Sequence, residues 1–362
     1  MPKFDYLTNN ILTWYESHRR HLPWRAEKGE TSDPYFVWLS EIMLQQTTVA
    51  AVKPYFHKFI ARWPSMPALA RSELDSVLTE WAGLGYYARA RNLHQCANLI
   101  VKEYGGCFPE SEGELKKLPG IGSYTAAAIM AISFNRPAVV VDGNVERVMA
   151  RLFSISDPLP GAKNILKAKA AQLTSYDYPG DYAQAVMDLG ATICKPRNPS
   201  CTRCPLHSAC EGRRRGVHES LPFRSPKKRK PVRYGVAFWI LGSDGSVLLR
   251  RRPEKGLLGG MMEIPSSTWR EKLSWGAEEL KAEAPVRAKW RPLKGVVKHT
   301  FTHFHLELRI LAATVRGDKA EKLEIGAMTW VRLDQLGAYA LPSVMKKIVT
   351  HALKAEYVEG RS

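Results

Sequence analysis

Long apolar runs are missing from this chain of 362 residues. No uninterrupted stretch approaches the roughly 18 residues that a membrane-crossing helix needs. The amino terminus, MPKFDYLTNNILTWYESHRR, sets Asp5 and other polar residues ahead of any sustained apolar segment and offers no small-residue cleavage site, so a secretory leader is not expected. No segment recurs at a fixed period, which sets aside a solenoid. Acidic residues are scarce beside basic ones, 35 Asp and Glu against 53 Lys and Arg, giving a net charge of +18. That excess steers the molecule towards polyanions, and nucleic acid is the leading expected partner. A cytoplasmic location without a membrane partner is the expectation.

Cysteine is also sparse, with six in all, yet four fall in one stretch, CKPRNPSCTRCPLHSAC, as Cys194, Cys201, Cys204 and Cys210. In a cytosolic chain such thiols are ligands more often than disulfide partners. Pro196, Pro199 and Pro205 stiffen the loop between them. A tetrahedral zinc site and an iron-sulfur cluster both fit four thiolates. The spacing has one close pair, Cys201 with Cys204, and two outlying cysteines, where zinc sites commonly show two close pairs.

What is present divides the chain into two textures. From residue 5 to about residue 220 apolar residues recur at three- and four-residue spacing, as in YLTNNILTWYE and ELDSVLTEWAGLGYYARARNLHQCANLIVKEY, which predicts an all-helical first domain over 1–220. The Pro-rich, basic tract LPFRSPKKRKPVR reads as a linker over 221–233. Beyond it, YGVAFWIL, SVLLRRR, VVKHTFTHFHLELRILAATV and MTWVRL alternate or are β-branched, with helical patterns in EKLSWGAEELKAE and SVMKKIVTHALKAE, so an α+β domain is expected over 234–362.

Three segments carry candidate chemistry. LPGIGSYTAAAIMAI, over 118–132, reads as a tight turn opening a helix, where Gly120 and Gly122 let the backbone and the helix-start amides approach an anion. VVVDGNVERVMARL places Asp142 where a helix N-cap belongs. WLSEIMLQQTTVAAV places Glu41 at the start of an amphipathic helix among Trp38, Leu39, Ile42, Met43 and Leu44, surroundings that favour the protonated carboxyl and suit a general acid.

The cysteine loop resembles the 4Fe-4S loop of the endonuclease III superfamily of DNA glycosylases, and the Pro-Gly-Ile-Gly turn resembles its helix-hairpin-helix motif. SEIMLQQT closely resembles the segment of the MutY-type adenine DNA glycosylases in which the glutamate is catalytic. The resemblance implies an all-α glycosylase domain with an iron-sulfur loop, followed by an α+β Nudix-like domain. It implies a 4Fe-4S cluster on Cys194, Cys201, Cys204 and Cys210, with Arg203, Arg213, Arg214 and Arg215 near it for phosphate contacts. Glycosylase/lyases of the superfamily carry a nucleophilic lysine where this chain has Tyr124, so water-dependent release of adenine is implied instead.

By that resemblance Glu41 protonates adenine, Asp142 stabilises the developing positive charge on the sugar, and Tyr124 and Asn144 organise the site. Arg20, Leu22, Trp24, Arg25, Leu44 and Gln184 line the adenine pocket, while Gln46, Thr47 and Tyr86 fill or wedge the space beside the opposite base. The second domain resembles the Nudix-like domain of the same enzymes, but its magnesium box is broken, with Ser274 and Trp275 where paired glutamates belong after Arg270 and Glu271. In the family a Phe-Ser-His loop reads oxidised guanine; here it is Phe301, Thr302 and His303. The implied partner is double-stranded DNA with 8-oxoguanine:adenine or guanine:adenine mispairs, met by a monomer at the bacterial nucleoid.

Overall fold

Helix boundaries follow the capping chemistry of the sequence. The computed structural model describes residues 5–226, 229–271, 275–315 and 327–359. The helices of the first part are α1 (Asp5–His18), α2 (Pro34–Leu44), α3 (Val49–Arg62), α4 (Met66–Ala70), α5 (Leu74–Glu80), α6 (Ala88–Tyr104), α7 (Glu112–Leu115), α8 (Ser123–Ile132), α9 (Gly143–Leu152), α10 (Lys163–Ala171), α11 (Pro179–Thr192) and α12 (Glu211–Arg214). Asp33 caps α2 by accepting from the Tyr35 amide at 2.8 Å, and Pro34 follows at the first turn, where its missing N–H is no loss. Thr48 and Ser65 cap α3 and α4 in the same way.

Two expectations about these helices change. Glu41 does not open its helix: α2 begins at Pro34, so Glu41 lies in its second half, away from the helix end that would favour its charge. Nor is α2 amphipathic, since Tyr35 and every residue from Val37 to Met43 are buried. The long pattern from ELDSVL to IVKEY is two helices, because Gly83, Gly85 and Tyr86 adopt positive φ of 120°, 70° and 48° and end the helical path between them.

The carboxy-terminal part forms β1 (Val232–Gly242), β2 (Ser246–Arg251), β3 (Met262–Glu263), α13 (Ala277–Glu283), β4 (Arg291–Pro292), β5 (Val297–Thr300), β6 (His305–Val315), β7 (Met328–Arg332) and α14 (Ser343–Glu359). The sheet is mixed, in the order β3-β2-β1-β6-β4, with β5 paired to β6 and β7 to β2. Its centre is the parallel pair β1 and β6, in register from Val232 opposite His305 to Gly242 opposite Val315. One sheet face and α14 bury Trp239, Leu249, Leu308, Met345 and Ile348, and the other face buries Phe238, Ile240 and Leu248. Of the helical pattern in EKLSWGAEELKAE, the described residues place Ala277–Glu283 in α13, whose first turn is closed by the Gly276 amide donating to Glu279 Oε2 at 2.8 Å. Ser274 of the broken magnesium box lies outside the described residues.

The segment VVKHTFTHFHLEL is not one alternating strand. It is the hairpin of β5 and β6, with Thr300 opposite His305 and a tip at Phe301–Phe304 closed by the Phe301 amide on the Phe304 carbonyl at 2.9 Å.

The chain divides into two units, Met1–Arg71 with Asn92–Lys227, and Ser72–Arg91 with Lys228–Ser362. Residues 72–91, expected to belong to the first domain, are tied within the second unit by a paired Asp75 and Arg251 at 2.6 Å and by Arg91 donating to the Gly259 carbonyl.

Candidate active site

The helical unit gathers Glu41, Tyr124, Asp142 and Arg25 around one point. Glu41 is only 8% exposed. Burial pushes its carboxyl up from 4.5 to about 7; the Tyr124 hydroxyl and the Arg25 guanidinium ease its ionisation, while Asp142 opposes it. Burial therefore outweighs the nearby cation, and a large share of the acid still carries its proton at neutral pH, where an ordinary carboxyl is fully ionised. Tyr124 stands in the first turn of α8, its hydroxyl against the Met187 sulfur at 3.7 Å and beside Glu41; burial, then Glu41 and Asp142, hold it protonated.

Asp142 is the N-cap of α9. Its Oδ1 accepts from the amides of Asn144 and Val145 at 2.9 and 2.7 Å, and its Oδ2 accepts from Asn144 Nδ2 at 2.8 Å. Cap and candidate chemistry thus share one side chain, since an N-cap carboxylate is both oriented and held at the positive end of a helix. Asn144 is fixed in turn by Arg147, whose Nη2 donates to Asn144 Oδ1 at 2.8 Å and to the Gly190 carbonyl at 2.7 Å, and whose Nε donates to the Cys194 carbonyl at 2.7 Å.

Arg20, Leu22 and Arg25 line a cavity of about 250 Å³. Trp24, Leu44 and Gln184 are not among its lining residues: Trp24 is buried edge-on against Phe56 at 5.4 Å, and the buried Gln184 donates back to the Gly180 carbonyl of its own helix at 3.4 Å. Gly120 has φ +77°, and a Cβ there would come within 3.0 Å of Asn92 Cβ; nothing lies within 4 Å of the Cβ position at Gly122, so the hairpin is open to close approach at its tip.

All four loop cysteines line one small cavity of about 30 Å³ with Arg151, His207, Arg213 and His218. Arg151 is 2% exposed and donates to the carbonyls of Lys195, Pro196 and Leu221 at 2.7, 3.1 and 3.0 Å and to Cys194 Sγ at 3.5 Å. Among the described residues no three His, Cys, Asp or Glu are gathered to hold a single metal ion. Arg214 and Arg215, both exposed, pair with Glu211 at 2.7 and 2.5 Å.

In the second unit the hairpin tip presents Thr302 and His303 to solvent, with Phe301 half-buried against Trp269 at 5.7 Å and His299 at 4.7 Å. Lys230 donates to the Phe301 carbonyl at 2.9 Å. The Tyr86 hydroxyl meets Thr302 Oγ1 at 2.7 Å. Tyr86 and, in the helical unit, Gln46 hold positive φ of 48° and 58°, a strained backbone for such side chains.

The sequence reading missed Asp188, Arg147, Arg151 and Gly190. Asp188 was the most visible of them, as a lone carboxylate in the apolar run AVMDLGA, one helical turn after Gln184. Gly190 matters by what it lacks: a Cβ there would lie 2.6 Å from Asn144 Cβ.

Residues 39–172 match the HhH-GPD superfamily of base excision DNA repair proteins, and residues 236–351 match the NUDIX domain. Helical site and mixed sheet together define a DNA glycosylase of base-excision repair that carries a NUDIX domain. Over 94% of its length the chain is 35% identical to the human adenine DNA glycosylase, of which it covers 72%. It is 33% identical over 95% of its length to the adenine DNA glycosylase of Buchnera aphidicola subsp. Baizongia pistaciae, covering 96% of that protein. A solved thermostable thymine-DNA glycosylase superposes on 58% of this chain and 95% of its own with a TM-score of 0.52 and 30% identity. The chain belongs to the adenine DNA glycosylase family and is a DNA N-glycosylase. No described helix is long and apolar enough to cross a membrane.

Proposed function

We propose that the protein hydrolyses the N-glycosidic bond of adenine flipped out of mispairs with 8-oxoguanine or guanine. The observation that carries this is Glu41, buried in the helical unit with its proton retained to about pH 7 and facing Asp142. Adenine leaves poorly, so its N7 must take a proton as the bond breaks, and Glu41 supplies it. The Asp142 carboxylate, fixed by three N–H donors, meets the positive charge that grows on the sugar. Glu41, once ionised, takes a proton from the attacking water. Tyr124 stands where a lyase would need an amine, so the reaction stops at the abasic site. Extruding the base costs a few kcal/mol, which pocket contacts offset.

Arg20, Leu22, Trp24, Arg25, Leu44 and Gln184 act on the adenine side, with Arg20, Leu22 and Arg25 at the cavity, Trp24 buried behind it, Leu44 at the end of α2 and Gln184 on α11. Gln46, Thr47 and Tyr86 occupy the space left beside the partner base, and Gly120 and Gly122 meet phosphate. Phe301, Thr302 and His303 read the oxidised guanine: the hydroxyl of Thr302 and the ring of His303 are exposed at the hairpin tip, with Phe301 anchored behind them. The helical unit carries the chemistry and the second unit the lesion reading, in a monomer; residues 72–91 go with the second unit, and the expected 221–233 linker is shorter, since Phe223 and Ser225 bond to Leu159 and β1 begins at Val232.

A 4Fe-4S cluster fits the cysteine loop. Burial pushes Cys204 up to about 12, aided by the other three thiols, so four thiolates there need a strong Lewis acid beside them. The buried Arg151 guanidinium offsets their charge. Cys194, Cys201, Cys204 and Cys210 would hold the cluster, which would supply a rigid structural centre to the loop.

The test is a single-turnover assay on duplexes with adenine opposite 8-oxoguanine, guanine or thymine, scoring alkali-labile strand breaks, with Glu41→Gln alongside. Cleavage at adenine opposite 8-oxoguanine by the native protein alone is expected. An intact adenine strand, or a fully active Glu41→Gln, sinks the reading.

A further inference from the structure

Asp188 has no exposed surface, and its side chain meets two cations. Oδ1 accepts from Arg20 Nε at 2.6 Å and Arg25 Nη2 at 2.8 Å; Oδ2 accepts from Arg25 Nη1 at 2.7 Å and the Arg20 amide at 3.0 Å. Arg25 is gripped by both its terminal nitrogens in the fork geometry that fixes a guanidinium in plane as well as in place. Its side chain is 8% exposed, and it also donates to the Arg20 carbonyl at 3.3 Å. The same guanidinium is the cation whose charge favours ionisation of Glu41.

We propose that Asp188 is a positioning residue that holds Arg25 and Arg20 at the adenine cavity and, by neutralising Arg25, keeps that arginine from drawing the proton off Glu41. A lone buried cation beside Glu41 would stabilise its charged form and spoil it as a proton donor. With Asp188 behind it, Arg25 offers the cavity directed N–H groups and little net charge. The other groups facing Glu41 are Tyr124 from α8 and Asp142 from the start of α9. Around the ion pair stand Tyr15 and Arg19, on and just beyond α1, and Asp181 in the first turn of α11. Tyr15 is kept neutral, since burial pushes its hydroxyl up. Asp188 is thus the carboxylate that meets Arg25 directly. This assignment rests on Glu41 being the proton donor.

The experiment is the pH profile of the single-turnover rate, from about pH 5 to about pH 9, for the native chain, Asp188→Asn, Arg25→Met, the double variant, Asp188→Glu and Glu41→Gln. Asp188→Asn leaves Arg25 uncompensated, so the falling alkaline limb moves down by about one pH unit, a tenfold loss on that limb beyond any loss shared by all pH values. Arg25→Met moves the limb up, and the double variant returns it towards its native position. Asp188→Glu keeps the charge and leaves the limb in place at whatever rate. If Asp188→Asn does not fold, Arg25→Met and the double variant decide, since neither leaves Arg25 as a buried unpaired cation. A limb that stays put in these variants, or moves the same way for Asp188→Asn and Arg25→Met, overturns the assignment and leaves a structural ion pair. If Glu41→Gln is inactive in that case, only the role of Asp188 fails; if Glu41→Gln is active, the proton-donor reading fails with it.

Discussion

Replacing Glu41 by glutamine should stabilise the helical unit in alkali and do so much less in acid. In the folded chain the carboxyl titrates near 7, raised from 4.5 chiefly by burial. Below about pH 4.5 both folded and unfolded chains hold the proton, and the group adds no pH dependence. Between about 4.5 and 7 the native state binds a proton that the unfolded state has lost, so stability falls as pH rises. Above about 7 the full cost is present. A gap of two to three pH units at about 1.4 kcal/mol each is about 3 kcal/mol. For a unit of this size that is about 6–12 °C in melting temperature. The glutamine amide contributes equally at every pH, so the quantity to measure is the change in the native-to-variant difference between about pH 5 and about pH 8. Urea unfolding followed by far-ultraviolet circular dichroism gives it. The variant should gain on the native protein by about 2–3 kcal/mol across that interval. A difference that is the same at both pH values would refute the buried, proton-retaining carboxyl.

The hairpin tip and the helix contacts give two further outcomes. Thr302→Val keeps the shape and removes the hydroxyl that meets Tyr86 at 2.7 Å; loss of about 1 kcal/mol of hydrogen bonding should cut the preference for adenine opposite 8-oxoguanine over guanine about fivefold, and an unchanged ratio of kcat/KM values speaks against the tip as reader. Gly190→Ala puts a methyl 2.6 Å from Asn144 Cβ, so it should cost about 1–3 kcal/mol of stability and lower the single-turnover rate far more than a distant core variant of equal stability; retained activity would show that Asn144 need not be held.

The parts legible in the sequence are those fixed by local chemistry. Asp142 announces a helix N-cap because a side-chain oxygen before a helix start has one dominant use, and the structure places it there with two amides on Oδ1. The cysteine cluster is legible because its four thiols are close in sequence, and the structure lines one cavity with all four. Glu41 is legible by its apolar neighbours, although its place along α2 is not, since the capping Asp33 and Pro34 lie before the matched segment. What stays hidden is what packing at long range decides. Asp188 meets Arg25 across 163 positions and Arg147 meets the Cys194 carbonyl across 47, and no periodicity connects such pairs. The hairpin break at Phe301–Phe304 is masked by an alternation that continues through it, because tip residues obey the turn rather than the sheet.

The assignment of residues 72–91 to the second unit bears on how the molecule is born. Tyr86 finds Thr302 only 216 residues later, and Asp75 waits 176 for Arg251. During synthesis at roughly 5–20 residues per second, that segment emerges tens of seconds at most ahead of its contacts. The first unit is therefore discontinuous in sequence, running to Arg71 and resuming at Asn92. Maturation on the ribosome then proceeds in two beats, with the carboxy-terminal strands supplying the partners of a segment made long before them.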